Sequence, residues 1–199
     1  MELSYGENGS VLRRADCSVT PGESVADDTG FSRRYVTHSA EETVRLAAAV
    51  APLLESGDMV LLDGPLGAGK TTFVQGIARA MGYAQDVTSP TFALAHYYRH
   101  GTGDTSKGNR GMLVHVDLYR MQSPAELLDL ALDEEMDSGA VVFVEWGGEG
   151  LAVLRPDHLD VTILPDAEYS ERTIVFSSNS AGWQDRIATV AGALSQWEI

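Results

Sequence analysis

One octapeptide limits what this chain can fold into more than any other feature. Gly64-Pro65-Leu66-Gly67-Ala68-Gly69-Lys70-Thr71 meets the pattern G-x-x-x-x-G-K-[ST] at every required position. Glycines let a backbone curl so that successive N–H groups point inward at phosphate oxygens. The helix that follows turns its positive end to the same anion. Lys70 has the reach for β and γ phosphates, and the Thr71 hydroxyl is a ligand for Mg²⁺. Such a loop needs a strand before it and a helix behind it. Met59 to Leu62 (MVLL) is a short apolar run suited to a strand buried on both faces, and Lys70 to Met81, closed by Gly82, reads as the helix. The chain is therefore expected to bind a nucleoside triphosphate. Neither lysine follows an asparagine, so there is no N-K-x-D tetrapeptide to read guanine, which tilts the base towards adenine.

The rest of the chain alternates in the same manner. Ser39-Ala40-Glu41-Glu42 has the S-x-x-E spacing of a capping box, and Val44, Leu46, Ala47 and Val50 form the buried stripe of a first helix that Pro52 ends or kinks. Leu94 to Tyr98, Met112 to Leu118 and Ala140 to Val144 read as strands. Ser123-Pro124-Ala125-Glu126 opens another helix, with serine as the cap and proline at the first helical position. Leu159 to Leu164 and Arg172 to Phe176 read as an antiparallel strand pair, and a last helix runs from Ala181 to Leu194. Strands alternating with helices predict an α/β fold, a P-loop NTPase-like three-layer sandwich with a mostly parallel central sheet. Residues 1–34 are rich in Gly, Ser, Asp and Glu and show neither period, so they read as a disordered extension ahead of one domain spanning 35–199. His100 to Gly111 (HGTGDTSKGNRG) reads as a mobile surface loop.

A phosphate loop calls for a carboxylate at the end of a neighbouring strand, to hold Mg²⁺ directly or through water. Two strands end in one: Leu113 to Asp117 (LVHVD) and Val141 to Glu145 (VVFVE). Either acid could instead cap the turn beyond its strand. Val87-Thr88-Ser89-Pro90-Thr91-Phe92 sets three hydroxyls around a proline, which suits a loop that orders around a γ-phosphate and equally suits a plain turn. His96, His100 and His115 make no zinc-ligand spacing with any cysteine.

Charge narrows the range of partners. Twenty-nine acids against fourteen bases leave the chain at −15. Its lysines are Lys70 and Lys107 alone. A chain of this charge is repelled by nucleic acid unless a local basic patch intervenes, so direct DNA or tRNA binding is not expected. No run approaches the length of a membrane span, the first residues lack the pattern of a signal peptide, and a lone Cys17 favours a reducing compartment, so the expectation is a cytoplasmic domain.

Taken together, GPLGAGKTT (64–72), VTSPTF (87–92), HVDLYR (115–120) and VEW (144–146) resemble, in order and spacing, the bacterial TsaE (YjeE) family, the ATPases of the tRNA threonylcarbamoyladenosine pathway. The resemblance spans about residues 35 to 177. It implies that Gly67, Ala68, Gly69, Lys70, Thr71 and Thr72 bind the ATP phosphates, that Thr71 and Glu145 hold Mg²⁺, and that Asp117 is the acid needed for hydrolysis. It places Thr88, Ser89, Pro90 and Thr91 in a switch-like loop, Trp146 beside the active site, and Ser39 and Arg172 near the nucleotide. Here Gly147-Gly148 precede Glu149, where the family often has proline or one small residue and then an acid. The partners it implies are the TsaD and TsaB proteins, which install the threonylcarbamoyl group on an adenosine of ANN-decoding tRNAs. The tRNA is then reached only through that complex. Two other readings compete: a P-loop kinase acting on a small metabolite with the 100–111 insertion as its lid, and a nucleotide-gated interaction module whose hydrolysis is incidental.

Overall fold

The computed structural model describes residues 31–100, 111–121, 126, 129–147 and 157–199. Among these, seven strands form one sheet: β1 (Phe31–Thr37), β2 (Met59–Asp63), β3 (Ala95–Arg99), β4 (Met112–Asp117), β5 (Val141–Glu145), β6 (Leu159–Pro165) and β7 (Arg172–Ser178). Their spatial order is β1-β7-β6-β2-β5-β4-β3. Parallel pairing is confined to the centre, where β2 lies between β5 and β6 and β5 also pairs with β4. The outer strands join antiparallel: β3 on β4, β7 on β6 and β1 on β7. The sheet is thus mixed, and less parallel than the alternation of elements predicts. The expected pair of late strands is present, joined by residues 166–171, a link too short for a parallel crossover.

Two apolar layers cover the sheet. Val60 and Leu62 of β2, Phe143 of β5 and Val161 of β6 share one buried cluster with α1 (Ala40–Val50), α2 (Lys70–Ala80) and α4 (Ala181–Leu194). Met59 and Leu61 of β2, with Val142 and Val144 of β5, belong to the other, beside Leu132 and Met136 of α3 (Leu132–Asp137). The run Met59–Leu62 is apolar throughout because both of its faces are covered. No described helix is long and apolar enough to cross a membrane.

Three local expectations change. Strand β1 already includes residues 31–34, ahead of the expected start at Tyr35, because they pair with Ser178–Val175. Phe31 is half-buried while Ser32, Arg33 and Arg34 are exposed, so β1 lacks the alternation that announces a strand. In α1 the buried stripe is Thr43, Leu46, Ala47 and Val50, with Val44 only partly covered. Thr43 tolerates burial because its hydroxyl meets Thr37 Oγ1 at 2.9 Å and donates to the Ser39 carbonyl. The capping box forms with a shift: Ser39 Oγ accepts from Glu42 N at 3.1 Å, while Glu42 Oε2 accepts from His38 N at 2.8 Å. The expected helix start at Ser123–Ala125, the extension up to residue 30 and most of the 100–111 insertion lie outside the described residues, as do Gly148 and Glu149.

Helix α1 lies close on α2, whose first residues, Lys70 and Thr71, belong to the loop motif. A Cβ at Gly76 would stand 2.6 Å from the Val44 carbonyl oxygen and 2.8 Å from Ala47 Cβ. Backbone cannot yield as a flexible side chain can. Gly76→Ala is expected to lower stability by about 1–3 kcal/mol despite alanine's better helix propensity, as read by denaturant unfolding.

Candidate functional site

The loop after β2 takes its shape from residues that only glycine can supply. Gly64 sits at φ 139°, and a Cβ there would lie 2.2 Å from the Ile163 carbonyl oxygen of β6. Gly69, at φ 112°, caps α2 from a left-handed conformation, and its carbonyl accepts the Phe73 N–H at 2.9 Å. Between them, Lys70 curls back over its own loop. Its Nζ donates to the Gly64 carbonyl at 2.8 Å and to that of Pro65 at 3.2 Å. Burial pushes the Lys70 ammonium below its ordinary pKa, against the opposing pull of Glu145, Asp117 and Asp63.

Strand register brings the two candidate carboxylates together. Asp117 ends β4 opposite Glu145 at the end of β5, and Glu145 is in turn level with Leu62 on β2. Glu145 is buried. Its Oε1 accepts from the Thr71 hydroxyl at 2.9 Å and lies 2.9 Å from His115 Nε2, while Oε2 stands 3.8 Å from Lys70 Nζ. Asp117 is held differently: Oδ1 accepts the Tyr119 N–H at 2.9 Å and Oδ2 accepts the Thr91 hydroxyl at 2.5 Å. The two acids therefore have separate partners, one tied to the lysine and threonine of the loop and one to the segment 87–92.

That segment is fastened at both ends. Gln75 of α2 donates to the Val87 carbonyl at 2.8 Å, Thr88 N donates to the Tyr98 hydroxyl at 3.0 Å, and Leu94, at φ 62°, offers its carbonyl to Asp117 N. Ser89 and Thr91 share a hydroxyl contact of 2.6 Å between these anchors. Phe92 is 87% exposed, with the Arg120 guanidinium 4.5 Å above its ring. Trp146 adopts φ 63°, a costly conformation for a bulky residue. This turn sets its ring 4.2 Å from Lys70 Nζ and 5.2 Å from Tyr119.

All of this opens on one cavity of about 360 Å³. Gly67, Gly69, Lys70, Thr71 and Thr72 line it from the loop and α2; Asp117, Glu145 and Trp146 from the strand ends; Ser89 and Thr91 from the segment 87–92. Glycine-shaped backbone N–H groups, a lysine and a helix N-terminus make a cradle for phosphates. Thr71 and Glu145 together are hard oxygen donors of the kind Mg²⁺ takes, and they already stand in contact.

Not every expected residue reaches the cavity. Ala68, within the loop, is fully buried, and it, Thr88 and Pro90 are outside the lining. Ser39 and Arg172 are also outside it, though near each other: Thr37 pairs with Arg172 across β1 and β7, and His38 Nδ1 lies 3.1 Å from Glu171. Arg172 Nη1 donates to the Tyr169 carbonyl, and the Tyr169 ring comes within 3.9 Å of where a Gly67 Cβ would be. They form the flank of the loop away from the two acids. Sequence reasoning missed Tyr119 and Arg120 as lining residues, and His115 as the neighbour of Glu145. The period of two in LVHVD carried the last signal, since it puts His115 on the same face as Asp117.

Comparison with known proteins adds an independent finding. The sequence model of a family described as threonylcarbamoyl adenosine biosynthesis protein TsaE matches residues 37–174. The tRNA threonylcarbamoyladenosine biosynthesis protein TsaE of Treponema pallidum (strain Nichols) is 40% identical over 125 residues, which cover 63% of this chain and 85% of that protein. Its counterpart in Mycobacterium tuberculosis (strain H37Rv) is 45% identical over 130 residues, 62% of this chain and 73% of that one. The Bacillus subtilis (strain 168) protein of the same description is 35% identical over 145 residues, 73% and 85% respectively. A crystal structure of Bacillus subtilis YdiB superposes with a TM-score of 0.65 at 27% identity, covering 84% of this chain and 99% of that one. The matched span contains every side chain of the cavity, and Ser39 and Arg172 as well.

Proposed function

The chain belongs to the TsaE family, and we propose that it is a magnesium-dependent ATPase that supports threonylcarbamoyl modification of tRNA adenosine by acting on a TsaD–TsaB pair. The observation that carries this reading is the convergence of Lys70, Thr71, Glu145 and Asp117 on one cavity at the mouth of a phosphate loop. The reaction is phosphoryl transfer from ATP to water, in which positioning and charge stabilisation do the catalytic work. Lys70 exchanges the Gly64 and Pro65 carbonyls for phosphate oxygens. Thr71 and Glu145 would hold Mg²⁺, which would supply positive charge to offset that of the phosphates. Asp117 orients the attacking water and accepts its proton, and its bond to Thr91 links that step to the segment 87–92. A net charge of −15 suits a chain that grips protein rather than RNA.

Phosphate release from ATP, measured with and without a purified TsaD–TsaB pair, tests the reading. Slow hydrolysis alone and at least about tenfold faster hydrolysis with the pair are expected, a barrier difference of about 1.4 kcal/mol. Absence of both stimulation and complex formation would count against the partner assignment. Transfer of the γ-phosphate to a metabolite instead of water would favour a kinase.

A further inference from the structure

We propose that His115 is a positioning residue of this site, whose Nε2–H holds the Glu145 carboxylate in the orientation in which it meets Mg²⁺; the inference rests on the magnesium–ATP reading above. His115 is wholly buried in β4, with Phe143 opposite it on β5. Its Nε2 lies 2.9 Å from Glu145 Oε1. An ionised carboxylate only accepts, so Nε2 carries the hydrogen. The same oxygen accepts from Thr71, also at 2.9 Å.

Those two donors are not equivalent. The Thr71 hydroxyl lines the cavity, and a hydroxyl that turns its oxygen towards a ligand loosens its hold on a neighbour. The imidazole has no such alternative. Its Nδ1 is the one buried side-chain nitrogen or oxygen among the described residues that has no hydrogen-bond partner. A polar atom buried without return is a cost that an aliphatic residue between Leu113 and Asp117 would avoid. The bond from Nε2 is what the histidine contributes that a leucine could not. Oxygen ligands of a metal are commonly fixed by such outer partners, and removing one weakens metal binding about 10–100-fold.

The test titrates binding of a slowly hydrolysed ATP analogue, first without metal and then against rising Mg²⁺. The proteins compared are wild type, His115→Gln, His115→Asn and His115→Leu. A glutamine amide nitrogen lies as many bonds from the backbone as Nε2, so it reaches Glu145; that of asparagine stops at the place of Nδ1. Half-saturating Mg²⁺ should rise about tenfold or more in the Asn and Leu variants and stay near wild type in Gln, with metal-free affinity alike in all four. Should the leucine protein not fold, the two amides carry the comparison. The role of His115 is overturned if Asn titrates as wild type, or if Gln is as impaired as Asn. Wild-type protein that binds the analogue without any dependence on Mg²⁺, or does not bind it, overturns the magnesium–ATP reading itself.

Discussion

Lys70→Ala should abolish tight ATP binding and leave the fold standing. The ammonium lies against the loop itself: it contacts two loop carbonyls and lies 3.8 Å from Glu145. Without it, a triphosphate would enter a cavity lined by two carboxylates, with Arg120 as the remaining cation of the lining. Affinity is expected to fall at least about a hundredfold, about 2.8 kcal/mol. Folding does not depend on this side chain, because Phe73, Val74 and Ile77 hold α2 to the core and the ammonium itself is held at a desolvation cost. The two readouts are equilibrium binding of ATP and thermal unfolding of the free protein. Unchanged affinity in a folded variant would remove the site assignment altogether. Loss of binding together with loss of the unfolding transition would show Lys70 to be a structural clamp on the Gly64–Pro65 turn instead.

How far this site can be read from sequence varies from residue to residue, for physical reasons. The phosphate loop is legible because its chemistry requires fixed residue types at fixed spacing, and the flanking strand and helix have the apolar patterns of buried elements. The central strands are legible for the same reason: Met59–Leu62 and Val141–Val144 are apolar on both faces because helices cover both faces. Edge strands obey no such rule. β1 carries Ser32, Arg33 and Arg34 towards solvent, and its place beside β7 is fixed by backbone pairing that leaves no trace in residue type.

The site itself divides along the same line. Asp117 and Glu145 stand at strand ends, where position alone marks them. Whether the strands are neighbours, and so whether the acids meet, depends on sheet order, which alternating patterns do not specify. His115 was hidden by the same ambiguity: its partner lies thirty residues away on the next strand. Ser39 and Arg172 illustrate the converse. Family resemblance names them singly, and only the pairing of β1 with β7 brings them together, on the flank of the loop outside the cavity shared by the acids.

Asp117→Asn separates hydrolysis from binding more cleanly than any other change available here. Asparagine keeps an oxygen where Asp117 Oδ1 accepts the Tyr119 N–H, and its amide can donate to the Thr91 oxygen where Oδ2 accepted from it. The geometry therefore survives, and the missing property is the ability to take a proton. Loss of a general base costs about 10²–10⁴ in rate, so phosphate release should fall by that factor. Affinity for ATP with Mg²⁺ should hold or rise slightly, because one negative charge leaves the surroundings of the phosphates. Phosphate release and nucleotide binding measured on the same preparation check both halves. Wild-type hydrolysis in this variant would transfer the base to Glu145, whose oxygens are already engaged by Thr71, His115 and Lys70. A variant that binds ATP, does not hydrolyse it and still supports full tRNA modification would make the protein a nucleotide-gated module, with Thr91 and the segment 87–92 as the gate. Loss of modification in step with hydrolysis is the outcome expected of an enzyme whose turnover is its function.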